Sequence, residues 1–372
     1  MKSCASTIVA IWFALGSLSL SPAAFGADNS QLQRAKREAE SKGFLFAASR
    51  DEIIAGAKKE GRLRVLSGFD PATYRQMREA FMRKYPFVEI YGEETGGTDS
   101  EIRFLTQLKA GPVNWDVIPV SPDWYSEYQP HLKKFDILGM ARSEVLAIPD
   151  KMIDPHYRNV VAMASTVTVI PYSKKMMSNE QVPSRWEDFL KPEFKGRKFA
   201  LDIRPHAQAA MIPGMGLEWV LDYCRKLAAQ EPIWVRGQTR AIASLITGEI
   251  PMFVTGYQIV MRAMEKDRSG GLGFKIIEPV PVRISDVEGT PASAPNPYTA
   301  LLWLDFEASA EGQKILDAYE PHKGSIFVPG TDGEKLIRGK KISLNSFETY
   351  NKTAEWYKLI LEAFGFPRAE GK

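Results

Sequence analysis

The chain has 372 residues, 44% hydrophobic and 25% charged, an ordinary globular mix rich enough for a large core. At about 100–200 residues per domain, that length predicts two domains. A formal charge of only +3 supplies no strong basic field, which argues against a nucleic-acid partner.

At the start of the chain, Lys2 precedes an apolar stretch from Ile8 to Leu20. Small residues follow, with Ala24 and Gly26 at the −3 and −1 positions of a cleavage site. This is the secretory-signal pattern, and it falls short of the roughly 20 residues a membrane span needs. Residues 1–26 are therefore expected to be an export signal; the competing reading is a buried N-terminal helix. Cys4 lies ahead of the apolar stretch, the wrong place for a lipidated cysteine, so the expectation is a freely soluble periplasmic protein, not membrane-inserted. Removal of the signal leaves Cys224 alone, without an internal disulfide. Leu217, Val220, Leu221, Cys224 and Leu227 share one helical face, which predicts a packed core thiol.

Residues 31–60 read as an amphipathic helix that Gly61 can cap. Leu63–Ser67 reads as a first strand. Asp70-Pro71 is a helix start, because Asp accepts orphan N–H groups and Pro fits the first turn. Tyr74, Met77 and Phe81 mark the buried face, and Tyr85-Pro86 stops the helix. Val88–Tyr91 is a second strand. Thr98 and Glu101 fit a capping box ahead of Ile102, Leu105 and Leu108, and Gly111-Pro112 ends that helix. "WDVIPV" is a third strand. Strand–helix–strand–helix–strand with short connections implies a parallel, doubly wound sheet.

A long β-rich run, "VVAMASTVTVIPYSKKMM", then leads into a second α/β series. Its strands end at Asp202, Val235 and Val254, with helices over 216–229, after Gln238 and near Tyr257. "GFKIIEPVPVRISDVEGTPASAPNPY" reads as an extended return crossing. "TALLWLDFEASAEGQKILDAY" reads as helical, with Leu302, Phe306 and Ile315 buried. The chain thus leaves one α/β lobe, builds another and returns. Two crossings make a hinge, with strand-end loops facing a shared cleft. The expected division is 27–170 for the first lobe and 171–282 for the second. Residues 283–372 are read as the return crossing, the rest of the first lobe and C-terminal helices.

The ordered segments "AKKEGRLRVLSGF", "MREAFMRKYPFVEI", "GGTDSEI", "WDVIPV", "VIPYSKKMM", "RWEDFLKPEFKGRKFALD", "ITGEIPMFV" and "APNPYTALLWLDFEASAEGQKIL" span about residues 50–330. In this order they resemble bacterial extracellular solute-binding proteins of ABC importers, in the branch with ferric-iron, thiamine, polyamine and aminoethylphosphonate binders. The resemblance implies a two-lobe periplasmic binding protein fold of type II, a small-molecule solute, an inner-membrane permease partner, a monomer and no cofactor. It departs from the family pattern at two points. Ser173 follows the hinge tyrosine where relatives often show asparagine, and the adjacent tyrosine pair typical of iron binders is absent, which argues against ferric iron.

Ligands of open α/β sheets sit outside the carboxyl ends of strands, and that rule selects the candidate loops. Ser67 and Phe69 follow the first strand, as hydrogen-bond donor and stacking ring or as turn and core residues. Gly97 and Thr98 lie at a helix N-terminus that favours an anion, although capping also accounts for Thr98. Asp123 and Trp124 follow the third strand. Tyr172 lies where the first crossing enters the second lobe, against a ligand or as hinge packing. Asp202, Arg204 and His206 follow a strand end. Arg204 can fork two hydrogen bonds to a carboxylate or phosphonate, or sit in a surface salt bridge. Arg236 and Gln238 form another such loop, and Tyr257 a further one. Asn296 and Tyr298 lie where the second crossing ends. Arg204, Arg236 and Arg283 tilt the reading toward an anionic or zwitterionic ligand.

Catalytic signatures are absent: there is no G-x-S-x-G, H-E-x-x-H, C-x-x-C, Walker loop or G-x-G-x-x-G. His131, His156, His206 and His322 lack metal-ligand spacing. The expected function is solute capture for import rather than an enzyme. The competing readings are a ligand-binding partner of a membrane sensor kinase and an exported hydrolase with a non-local triad.

Overall fold

The computed structural model describes residues 22–95 and 98–366. Residues 1–21, most of the expected export signal, lie outside the described residues. Helix α1 (Pro22–Ser41) runs through the expected cleavage point after Gly26. Where the sequence predicts one helix over 31–60, there are two, α1 and α2 (Arg50–Glu60). Gly43, at φ +78°, turns the chain between them. Ser49 then restarts the helix: its Oγ accepts the Glu52 N–H, and the Glu52 carboxylate accepts the Ala48 N–H. Gly61 ends α2 in the left-handed region, as predicted.

β1 (Arg62–Ser67), α3 (Pro71–Lys84), β2 (Glu89–Glu94), α4 (Thr98–Ala110) and β3 (Ile118–Pro119) realise the predicted alternation. β1 and β2 are parallel from Arg62↔Glu89 to Ser67↔Glu94, and Val65 bridges Val117 in parallel. The short helices α5 (Tyr125–Tyr128) and α6 (Ile137–Arg142) lead to β4 (Val160–Ser173). All fourteen residues of β4 are buried, as its near-continuous apolar run requires.

The second lobe contains β5 (Ala200–Asp202), α7 (His206–Met215), α8 (Leu217–Ala229), β6 (Ile233–Val235), α9 (Gln238–Thr247), β7 (Thr255–Gly256), α10 (Tyr257–Lys266) and β8 (Leu272–Lys275). β5 and β6 are parallel. The strand expected at 251–254 reduces to single bridges, Met252 to Tyr172 and Phe253 to Ala200. β9 (Val280–Gly289) returns antiparallel to β4, with Val160↔Gly289 at one end and Val167↔Val282 at the other. β3 joins β9 in the first lobe, while β7 and β8 join the far end of β4 in the second. β4 and β9 are thus the two hinge crossings.

The remaining elements are α11 (Pro297–Ala308), α12 (Ala310–Tyr319), α13 (Asp332–Ile337), β10 (Ile342–Asn345), α14 (Phe347–Tyr350) and α15 (Thr353–Ala363). Ser309 splits the single helix expected over 299–319, capping α12 by accepting the Gly312 N–H. Leu302 and Phe306 are buried and Ile315 partly so.

Trp356 and Ile360 of α15 and Phe364 just beyond its end, an apolar stripe at helical spacing, enter the same core as Phe189, Phe199 and Cys224. The C-terminal helix therefore packs into the second-lobe core. β10 runs parallel to the second-lobe end of β9, from Ile342↔Val280 to Asn345↔Arg283. Its Ser343 Oγ accepts the Gly214 N–H and donates to the carbonyls of Ala210 and Met211, beside Pro213 inside α7.

Cys224 is fully buried, and burial pushes its thiol well above the usual cysteine range. A chromogenic thiol reagent is expected to leave Cys224 unmodified in the native protein and to react with it in guanidinium. Rapid reaction of the native state would contradict this packing.

Candidate functional site

Strand-end loops of the second lobe and the two hinge strands enclose one polar cavity. Its lining includes Thr166 and Thr168 of β4, Asp202, Arg204 and His206 after β5, Gln238 of α9, Gln258 of α10 and Arg283 of β9. In this conformation its volume is about 30 Å³, room for roughly one or two waters, so the side chains close it almost completely. A larger open groove of about 570 Å³ lies at the opposite ends of β1 and β2, lined by Arg62, Arg64, Tyr91 and Trp115. It touches neither hinge strand nor any strand-end loop.

The backbone makes the polar cavity favourable to negative charge. α7, α9 and α10 begin at Pro205, Gly237 and Gly256, none of which offers a capping side chain. His206 and Gln238, the first residues of α7 and α9, line the cavity, as do Gly256 and Gln258 on either side of the first residue of α10. Three positive dipole ends therefore converge there. Two glycines are required by geometry. Gly237 sits at φ +103°, which a side chain would strain. A methyl group at Gly256 would come within 2.9 Å of Thr166 Cγ2, so the start of α10 packs against β4 only through glycine.

The side chains add two arginines. Asp202 accepts from Arg204 Nη2 at 2.7 Å and Nε at 3.2 Å, and from the Arg204 N–H at 3.0 Å. This contact raises the guanidinium further and leaves the buried Asp202 carboxylate paired. Arg283 differs: its buried Nε has no hydrogen-bond partner within the protein. The Thr255 hydroxyl and the Gln258 Oε1 are likewise buried without a partner, and both residues line the cavity. Burial, with Arg283 and Arg204 adding to it, lowers His206 to about 3, so the imidazole is neutral at pH 7. Its Nδ1 is 2.7 Å from the Tyr357 hydroxyl of α15. Asp123 of the first lobe does not line the cavity. Burial raises its carboxyl, and the Arg283 guanidinium opposes that rise.

Of the residues selected from sequence, Asp202, Arg204, His206 and Gln238 meet at this cavity. Arg236 is exposed beside it and does not line it. The others lie elsewhere. Ser67 is buried, its Oγ accepting the Phe69 N–H, and Phe69 sits in the first-lobe core with Lys323 Nζ 5.3 Å from its ring. Tyr172 packs its ring over Gly273, where a Cβ would come within 2.4 Å of it, and belongs to the second-lobe core. Tyr257 is buried between Phe274 and His322. Asn296 donates from its N–H and Nδ2 to Asp116, and Tyr298 packs its ring on Gly56. Gly97 lies outside the described residues, as does the side chain of Thr98, which opens α4. The sequence reading did not select Thr166, Thr168, Thr255 or Gln258. The signal for the first pair was a threonine at i and i+2 in a largely apolar strand, which puts two hydroxyls on one face.

A family model described as bacterial extracellular solute-binding protein matches residues 76–321. Among solved structures, the chain is similar to iron-bound HitA from Pseudomonas aeruginosa, at 16% identity and a TM-score of 0.62, covering 81% of this chain and 99% of that one. It is similar to the Trichodesmium protein IdiA (FutA) in complex with iron and citrate, at 16% identity and TM-score 0.66, covering 82% and 100%. It is also similar to the apo ferric ion-binding protein A of Pasteurella haemolytica, at 17% identity and TM-score 0.63, covering 83% and 100%. These likenesses establish the type II periplasmic binding protein fold. No curated protein matches the sequence. With two hinge strands, a polar cavity between them and the second lobe, and a family match across most of its length, the chain belongs to the bacterial extracellular solute-binding proteins.

Proposed function

We propose that this solute-binding protein captures a small anionic or zwitterionic solute in the Arg283 cavity and delivers it to the membrane permease of an ABC importer, after export directed by residues 1–26. The observation that carries this reading is the convergence of three helix N-termini lacking capping side chains on a cavity where the buried Arg283 Nε has no protein partner. With His206 neutral and Arg204 offset by Asp202, the formal balance of the lining is one positive charge, from Arg283. That suits an acid, and Asp202 offers a second pole for an ammonium group. A ligand touching both lobes favours closure because only the closed state presents all its partners.

The donor set differs from what a ferric ion needs. The cavity's one carboxylate is held by Arg204, and no tyrosine lines the cavity. Among the described residues, no group of three His, Cys, Asp or Glu is placed to hold a metal. Capture rather than turnover is supported by His206, whose Nδ1 is occupied by Tyr357 and which no cavity threonine hydrogen-bonds.

Calorimetric titration with small carboxylates, amino acids, phosphonates, spermidine and Fe(III) tests the reading. An acid is expected to bind, and Arg283→Gln to weaken it more than tenfold with the melting temperature nearly unchanged. Binding of spermidine or Fe(III) alone, or an acid affinity unmoved in Arg283→Gln, would overturn it.

A further inference from the structure

Asp70 stands immediately before α3, where the sequence predicts a helix cap, yet its carboxylate makes no capping bond. It points across the cleft instead: Arg262 Nη2 lies 2.8 Å from Asp70 Oδ2. Arg262 belongs to the second lobe and sits one turn beyond Gln258, the cavity residue of α10, on the same helix face. The first lobe fixes the acceptor's position. The Asp70 N–H donates to Glu320 at 2.8 Å, and Glu320 Oε2 lies 3.9 Å from Arg262. Lys323 Nζ, 2.6 Å from Glu320 and 3.1 Å from Asp286 on β9, holds that buried carboxylate in place. An ionic chain therefore runs from the hinge strand through the first-lobe loop to the second-lobe helix, and Arg262 is its second-lobe member.

We propose that Arg262 is an interlobe latch. It reaches Asp70 and Glu320 only when the lobes close, so it favours the closed state independently of the ligand and sets how much of the closure the ligand must supply. Asp70 forgoes its capping bond to serve as the acceptor. The side chains of Arg262 and Asp70 are 35% and 49% exposed, so the pair is screened by salt and its effect is modest. Loss of the pair is expected to lower the closed-to-open ratio by up to about fivefold. Arg262→Glu is expected to lower it further, because it faces two carboxylates.

This inference rests on the two-lobe binding reading, and its test separates the two. Small-angle scattering of the exported mature protein, without added solute, would compare wild type, Asp70→Asn, Arg262→Glu and the exchange Asp70→Arg with Arg262→Glu, at low and high salt. The single variants are expected to show a larger radius of gyration at unchanged circular dichroism. The exchange is expected to return toward wild type, and wild type in high salt to move toward the variants. Compact single variants, or an exchange as expanded as Arg262→Glu alone, would overturn the latch. Failure of any small acid to bind the wild type would overturn the binding reading and leave these scattering differences in place.

Discussion

Trp303→Ala is expected to lower stability by about 3–5 kcal/mol, a large part of the roughly 5–15 kcal/mol that holds a domain folded. Trp303 is fully buried at the centre of α11, in which every residue from Thr299 to Ala308 is buried. Its ring centroid lies 5.2 Å from that of Phe81 and 6.3 Å from that of Tyr74, so truncation would empty the junction between α11 and α3. The start of α11 is held from outside: the Glu60 carboxylate accepts the N–H groups of Tyr298 and Thr299 and the Thr299 hydroxyl. The helix cannot easily shift to fill the hole, which places the cost toward the upper end of the range. Trp303→Phe keeps most of the ring and is expected to cost far less. Guanidinium denaturation monitored by circular dichroism checks both; equal losses for the two variants would show that ring volume is not what matters.

The second large effect depends on pH. Glu288 of β9 and Glu307 of α11 are both almost completely buried. Burial raises both carboxyls, Glu288 to about 7 and Glu307 well above the usual carboxylate range; the Glu288 charge and hydrogen bond add to the rise at Glu307, and Asp286 adds at both. The hydrogen bond with Glu307 and then Lys323 oppose the rise at Glu288, and Trp303 opposes it at Glu307. The folded chain therefore holds a proton that the unfolded chain releases near 4.5. Stability from this pair is fully present below about 4.5 and is lost as pH climbs through neutrality. Glu307→Gln removes one of the two ionisations and offers Glu288 an amide donor. It is expected to raise stability at pH 8 by on the order of 2–3 kcal/mol and to change little at pH 4.5. Thermal melts at the two pH values check the sign. Equal destabilisation at both would mean that the two carboxyls do not compete for one proton.

How much of this could be read from the sequence depended on the range of the interactions. Gly61 as a helix end, Cys224 in a core and the βαβαβ series were readable because caps and periodicity are local. Asp202, Arg204, His206 and Gln238 were readable because the strand-end rule places loops without tertiary detail. Thr166 and Thr168 escaped because they lie inside a strand, where only the hinge geometry turns them toward the cavity. Asn296 and Tyr298 were chosen for their place beside a crossing, yet Asp116 and Gly56, distant in sequence, draw them into the first-lobe framework. The docking of α15 into the second lobe and the turn of Asp70 from cap to latch depend on partners far away in the chain, which no local pattern encodes.

Native mass spectrometry of the protein released from the periplasm, run beside its Arg283→Gln variant, tests the central claim most directly. The wild type is predicted to carry a small acidic molecule that the variant has largely lost. A metal ion or polyamine on the wild type, or equal carriage of an acid by both proteins, would contradict the account.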